Sequence, residues 1–363
     1  MINNQLYLDD IRGVAGQELP WEKMQDSSIL ITGASGLIGT ILCDVIMYKN
    51  RTEGLGCHVY AIGRNEEKAH HIFFTYWDDP DFSFIAHDIN TPLGENEFLE
   101  NMLSYLTEKN RGIGYVVHLA SNTHPRQYST DPIGTITSNV IGLKNMLDFA
   151  AEHQAVRFAF ASSNEIYGEN RGDTEKFDEE YCGYIACNTL RAGYPESKRC
   201  GEALCQAYIR QKGIDAVIPR LTRSYGPTLK TDDSKALSQF LHNCINKEDI
   251  VLKSQGTQYY SYLYAADSAA GLLYVLLKGE CGEAYNIADD ASDIMLKDLA
   301  QILADIAGRK VIFELPDNIE SAGYSKATKA RLDSAKLQKL GWKARFDISE
   351  GLKRTVEILS DMN

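Results

Sequence analysis

Basic residues are scarce in this chain: 37 Lys and Arg stand against 50 Asp and Glu, a formal net charge of -13 over 363 residues. A nucleic acid or an anionic membrane surface calls for a basic face, so neither is expected as the main partner. Cysteine occurs eight times, at 43, 57, 182, 187, 200, 205, 244 and 281, with no CxxC pair and no His/Cys ligand spacing. That pattern argues against a metal site or a disulfide framework and for free thiols in a reducing cytoplasm. No apolar run is long enough to cross a bilayer. The first 27 residues carry Asp9, Asp10, Arg12 and Glu18, which interrupts any signal-peptide core. Within them Leu6 to Val14 reads as a short amphipathic helix and Leu19-Pro20-Trp21 as an anchor, an extension whose expected role is packing.

Glycine, by contrast, is concentrated where chemistry can use it. The apolar strand Ser28-Ile29-Leu30-Ile31 runs into Thr32-Gly33-Ala34-Ser35-Gly36-Leu37-Ile38-Gly39, followed by a helical pattern from Thr40 to Met47. Glycine serves a turn with positive φ, a close backbone approach to a pyrophosphate and tight packing of helix on sheet. The helix N-terminus that follows offers free amides and a positive dipole end to phosphates. Strand, glycines and helix in this order predict a dinucleotide site cradled by Gly33, Ser35, Gly36, Leu37, Ile38 and Gly39. A second strand, His58 to Ile62, should end beside the adenosine ribose, where an acidic residue would bind the 2'-hydroxyl of NAD. Gly63-Arg64-Asn65 stands there instead. Arg64 is therefore expected against the adenine or a 2'-phosphate, which leaves NADP open beside NAD. His118, inside the apolar strand from Tyr115 to Ser121, is expected to be a satisfied core histidine.

The stretch from Ser162 to Lys198 carries the reactive groups. The apolar run Val156 to Ala161 leads into Ser162-Ser163-Asn164-Glu165-Ile166-Tyr167-Gly168, a strand ending in hydroxyls and a carboxylate. Farther on, Tyr194 and Lys198 stand four apart and share a helix face. A cation there favours the phenolate and should lower the Tyr194 pKa, moving the phenol towards a base able to take a proton from a sugar hydroxyl.

From Ser28 to about Leu359 the chain resembles the extended short-chain dehydrogenase/reductase superfamily, within it the NAD-dependent epimerase/dehydratase family, and most nearly the UDP-glucuronate decarboxylases. The resemblance rests on Gly33-xx-Gly36-xx-Gly39, on Tyr181-Cys182-Gly183, on Arg191-Ala192-Gly193-Tyr194 and on Lys198-Arg199. It implies an α/β fold, a Rossmann-type doubly wound parallel sheet with a smaller C-terminal substrate-binding lobe. The dinucleotide-binding domain is expected over 28–219 and 256–290, and the nucleotide-sugar lobe over 220–255 and 291–363, after the 1–27 extension. By resemblance Asp88 and Ile89 lie at the adenine, Leu119, Ala120 and Ser121 lie under the nicotinamide ribose, and Ser163, Glu165, Tyr194 and Lys198 are catalytic. Asn164, Arg191, Arg223, Lys235, Tyr260 and Arg331 are expected at the substrate, a nucleotide-diphosphate sugar. A homodimer is implied too, through the helix at about 136–153 and the helix starting at Tyr194.

Two features bear on the reaction. Dehydratases of this family place an Asp directly before the Glu, to protonate the leaving hydroxyl, and here that position is Asn164. Decarboxylation through a 4-keto sugar needs no such acid, so it is the expected reaction. NDP-glucose 4,6-dehydration and NDP-sugar 4-epimerisation remain alternatives, with net NADP-dependent carbonyl reduction more distant. Tyr260 replaces an Arg of the decarboxylases, and Arg223 replaces an Asn. One cation is lost and another gained in what should be one pocket.

Overall fold

The structure, a computed structural model, describes residues 4–94, 102–104, 106, 112–123, 125–229, 235–314 and 328–362. Its strands, in chain order, are β1 (Ser28–Thr32), β2 (His58–Gly63), β3 (Phe82–Ala86), β4 (Tyr115–His118), β5 (Arg157–Phe160), β6 (Ser162–Ser163), β7 (Ala216–Leu221), β8 (Arg223–Tyr225), β9 (Ile250–Leu252), β10 (Tyr259–Tyr264), β11 (Ala284–Ile287), β12 (Asp293–Met295), β13 (Val311–Phe313) and β14 (Lys329–Ala330). The large sheet runs β11-β7-β5-β4-β1-β2-β3 with β6 joined to β7. All its pairings are parallel. The chain order reverses between β1 and β4, and in open parallel sheets that switch point, at the strands' C-terminal ends, is where ligands settle.

Both faces of this sheet are covered, as an all-parallel sheet requires. Side chains of a strand alternate between faces, and β1 shows the result: Ile29 and Ile31 enter one apolar core, while Leu30 enters the other. The helix predicted from Thr40 runs over Leu37–Glu53 (α2) and ends at Gly54, whose left-handed φ of 67° closes it. A smaller sheet is built on β10, flanked by β12 and β14 and extended by β8. Thus β10 belongs to the small sheet, whereas the helix Ala265–Lys278 that follows it packs back on the large one.

The N-terminal extension is part of the core. Asn4 caps the helix Gln5–Ala15 (α1) by accepting from Tyr7 N, and Ile11 and Val14 are fully buried. Two carboxylates fasten it. Asp44 on α2 accepts from the Tyr7 and Tyr76 hydroxyls at 2.5 and 2.7 Å, and burial pushes its pKa up to about 6. Asp10 accepts from the Tyr264 hydroxyl at 2.6 Å and from Arg354 at 2.7 Å. Arg354 lies on the C-terminal helix Ile348–Ser360, so both ends of the chain meet over β10. No described helix is long and apolar enough to cross a membrane.

Candidate active site

The turn after β1 has the shape its glycines foretold. Gly33 has φ +70°, and a Cβ there would lie 2.9 Å from Ala120 N; one on Gly39 would lie 2.5 Å from Gly33 O. Bare backbone is therefore obligatory on both sides of the turn. The first amides of α2, at Leu37, Ile38 and Gly39, point out of the helix N-terminus without intrahelical partners. That donor set, beside a turn that excludes side chains, fits a dinucleotide pyrophosphate.

Around it the structure places the other expected contacts. Leu119 N donates to Thr32 O, and Ala120 N to Thr32 Oγ1, which fixes the end of β4 beside the turn. Ile89 is buried, its carbonyl accepting from Asn145 Nδ2, and Asp88 lies exposed with its carboxylate turned to Asn90. His118 is fully buried, bonded through Nδ1 to Thr32 Oγ1 at 3.0 Å, and burial pushes its pKa down to about 3. It is the neutral core histidine expected, although its Nε2 has no partner.

At the end of β2 the missing acid has a steric companion. A Cβ on Gly63 would already sit 3.3 Å from the Phe84 ring, so a longer acidic side chain meets an aromatic wall. Arg64 beside it is exposed and enters no ion pair among the described residues. As a test of a role in cofactor choice, Arg64→Ala is expected to weaken NADP binding several-fold more than NAD binding in a fluorescence titration. Equal affinities in variant and parent would make Arg64 a solvated loop charge.

The reactive groups converge from four elements. Ser163 ends β6 and caps the short turn Asn164–Tyr167, accepting from Glu165 N at 3.3 Å. Tyr194 and Lys198 lie in the first two turns of the helix Gly193–Lys212, where Pro195 is tolerated because no intrahelical N–H is needed. The Ser163 hydroxyl and the Ser121 hydroxyl, just beyond β4, lie near enough to the Tyr194 phenol to act on its pKa. Its ring stacks on Tyr128, centroids 4.9 Å apart. Behind it, Ser121 donates to Asn139 Oδ1 at 2.7 Å, and Asn139 Nδ2 donates to Ser197 Oγ at 2.9 Å. Asn139 sits on a π-helical turn, Ser138–Gly142, a distortion that aims it inward.

One expectation is corrected here. The Lys198 ammonium does not lower the Tyr194 pKa in this structure: the phenol is held above its ordinary value, by burial first and by Glu165 second. Ser163, Arg191 and Ser121 act in the opposite direction without offsetting this. Lys198 points elsewhere, donating to Ala161 O at 2.8 Å with Nζ 5.9 Å from the Tyr194 ring centroid. Its own burial pushes its pKa down to about 7. Sharing a helix face therefore brought the two side chains near, but desolvation outweighs the through-space effect.

Glu165 and Arg191 form an ion pair that sequence spacing gave no means to foresee. Arg191 Nη2 donates to Oε1 at 2.7 Å and Oε2 at 2.6 Å, with the guanidinium over the Tyr128 ring. Asn164, beside it, is buried. On the outer side Arg223 and Tyr260 do meet, with the guanidinium 3.5 Å from the ring centroid. Arg331 is elsewhere: it pairs with Glu175 and lies over Tyr259, whose side chain alternates to the other face of β10. Lys235 is half-buried at the start of the helix Ala236–Ile245, and residues 230–234 before it lie outside the described residues. Glu202 and Arg220 were missed. Ser162 Oγ donates to Glu202 at 2.5 Å and Arg220 grips the same carboxylate, directly beneath the strand end. Among the described residues no group of His, Cys, Asp and Glu could hold a metal ion.

The chain is 30% identical over 324 residues to UDP-glucuronic acid decarboxylase 3 of Arabidopsis thaliana, covering 89% of this chain and 86% of that protein. It is 27% identical to UDP-glucuronic acid decarboxylase 1 of Danio rerio, covering 92% and 72%. Among solved structures, UDP-glucuronic acid 4-epimerase from Bacillus cereus with UDP-glucuronic acid and NAD superposes with a TM-score of 0.75 at 21% identity, covering 93% of this chain and all 100% of that one. The family profile spans residues 29–288, both halves of the site included, so the chain belongs to the NAD dependent epimerase/dehydratase family.

Proposed function

We propose that this protein decarboxylates a nucleotide-diphosphate hexuronic acid, most like UDP-glucuronate, through a 4-keto sugar. The observation that carries this reading is the carboxylate beside Tyr194. Glu165 has both oxygens engaged by Arg191, and its neighbour is the amide Asn164. Among the described residues at this strand end, no carboxylic acid is then left to protonate a departing hydroxyl, which dehydration requires and loss of carbon dioxide does not.

In this reading Tyr194 takes the proton from the hydroxyl at sugar carbon 4 as its phenolate, a form that Ser163, Arg191 and Ser121 favour against burial and Glu165. Bound NAD, held by Gly33, Ser35, Gly36, Leu37, Ile38, Gly39 and the end of β4, supplies a hydride acceptor that is restored within the turnover. Lys198, seated against Ala161 O, holds the cofactor ribose, and Glu165 assists at carbon 5. The Glu165–Arg191 pair presents no net charge, so a sugar carboxylate approaches Tyr194 without the repulsion a free Glu165 would exert. The proposed division gives 28–219 and 256–290 chiefly to the dinucleotide and 220–255 with 291–363 to the sugar nucleotide, with β10 inside the former range contributing Tyr260 to the sugar-nucleotide side through the small sheet. A homodimer is part of the proposal, supported by the exposed side chains of Ile133, Ile136, Ile141 and Leu190 around the two helices expected to pair. A reducing cytoplasmic location is supported by the exposed free thiols of Cys182, Cys187, Cys200 and Cys281.

The test is a panel of UDP-, dTDP-, CDP- and GDP-linked hexoses and hexuronic acids, read by product mass without added cofactor. Loss of carbon dioxide from a hexuronic acid is the expected result. Loss of water, an unchanged mass with inverted carbon 4, or turnover only with added NADPH would overturn it. Asn164→Asp sharpens the choice. A second carboxylate beside Glu165 raises both pKa values and repels the substrate carboxylate, so the variant should be slower on the hexuronic acid and gain no dehydratase activity. Faster release of a 4-keto-6-deoxy product would assign the reaction to dehydration.

A further inference from the structure

The cations near the sheet edge are matched one by one. Arg191 is held by Glu165, Arg220 by Glu202, and Arg331 by Glu175. Arg223 is the exception: it meets no carboxylate among the described residues, and its Nη1 is buried without a hydrogen-bond partner, whereas Arg191 and Arg331, each with an unpartnered Nε, have a carboxylate on the same guanidinium. A guanidinium carries five donors and cannot shed its charge, so a buried, unanswered Nη1 is costly unless an anion completes it.

Its placement says which anion. Leu221 is in register with Ser163, and Arg223 lies two residues beyond, at the same edge of the sheet but on the strand that enters the small sheet. The Tyr260 ring, 3.5 Å from the guanidinium, covers one of its flat faces and is itself half of the small sheet's wall. With a face stacked, the in-plane N–H groups remain for a planar or tetrahedral oxyanion, the geometry in which Arg binds bidentately. The sugar end of the ligand is already served by Tyr194, Ser163 and the neutral Glu165–Arg191 pair. The doubly charged pyrophosphate, by contrast, still needs a cation.

We propose that Arg223, stacked on Tyr260, grips the pyrophosphate of the nucleotide sugar and determines diphosphate recognition in this chain. The inference rests on the nucleotide-sugar reading above and adds to it a binding residue on β8. Because the two side chains touch across paired strands, the charge is transferable: exchanging them, Arg223→Tyr with Tyr260→Arg, returns a cation to the same pocket from the neighbouring strand.

Calorimetric titration of the NAD-loaded protein with UDP, dTDP, CDP and GDP, with UDP-glucose and UDP-glucuronate, and with the monophosphate of whichever diphosphate binds best, tests this. Arg223→Gln should weaken the diphosphate about tenfold to a hundredfold, the range for one charge-assisted contact, and bring it close to the monophosphate. The exchanged double variant should recover part of that loss, while Tyr260→Phe, which keeps the stacking face, should bind nearly as the parent. NAD affinity and melting temperature serve as controls for folding; if Arg223→Gln melts early, Arg223→Lys, which keeps the charge and loses the fork, must still lose diphosphate affinity. Unchanged diphosphate binding in a folded Arg223→Gln or Arg223→Lys overturns the proposal alone. Failure of the parent protein to bind any of the four diphosphates overturns the nucleotide-sugar reading with it. A loss confined to UDP-glucuronate and absent with UDP-glucose and UDP overturns the pyrophosphate assignment in favour of the sugar carboxylate.

Discussion

Tyr194→Phe is expected to lower turnover by about a thousandfold or more, within the range a positioned acid or base contributes, while leaving the fold and NAD binding close to those of the parent. The substitution removes one oxygen from a side chain that is almost fully buried, so the aromatic stack on Tyr128 survives. What is lost is the hydroxyl near Ser163 and Ser121. Those two hydroxyls keep other partners: Ser121 still donates to Asn139, and Ser163 still accepts from Glu165 N. The stability cost should therefore be small, about 1 kcal/mol, the net worth of an ordinary hydrogen bond. Single-turnover kinetics on the best substrate, with a thermal melt alongside, reads both quantities. Turnover within tenfold of the parent would move the proton transfer to another group.

Arg220→Met should cost the most stability of any single change near the site, about 3–5 kcal/mol, as breaking one side of a buried pair does. Arg220 and Glu202 are exposed by only 10% and 14% in their side chains and share two hydrogen bonds, at 3.0 and 2.7 Å. Arg220 also donates to the Tyr167 hydroxyl and to Glu179 O, and Tyr167 donates in turn to Asn286. Removing the guanidinium strands the Glu202 carboxylate below Ser162, in apolar surroundings that include Cys205. Replacing both partners, Arg220→Met with Glu202→Leu, removes the stranded charge and should restore much of the loss. Urea denaturation of the parent, the single and the double variant measures this. A single variant within about 1 kcal/mol of the parent would show that water reaches the pair, as at exposed ion pairs. The change has a second readout, because Glu202 already acts to raise the Lys198 pKa against the effect of burial. An unpaired Glu202 acts more strongly, so Lys198 should stay protonated to higher pH in the folded single variant.

The sequence alone determined the elements whose physics is local. The turn Thr32 to Gly39 could be placed because positive φ and close approach demand glycine wherever they occur, and the structure shows positive φ at Gly33 and close approach at Gly33 and Gly39. His118 could be assigned to the core from its apolar neighbours, and α1 from its amphipathic pattern, since burial follows periodicity along one segment. Tyr194 and Lys198 could be paired because four residues on a helix is a fixed distance. The tertiary fold decided everything that depends on residues far apart. Whether Lys198 or burial governs the Tyr194 phenol was settled by how deeply the helix Gly193–Lys212 is packed, which no spacing reports. Glu165 met Arg191 across 26 residues, Glu202 met Arg220 across 18, and Arg223 met Tyr260 between paired strands. The final helix Ile348–Ser360 gained its place only by closing over α1 through Arg354 and Asp10. Charge pairs of this kind are set by where separate strands and helices end in space, and their strength by the water excluded around them, neither of which is written in any one stretch of chain.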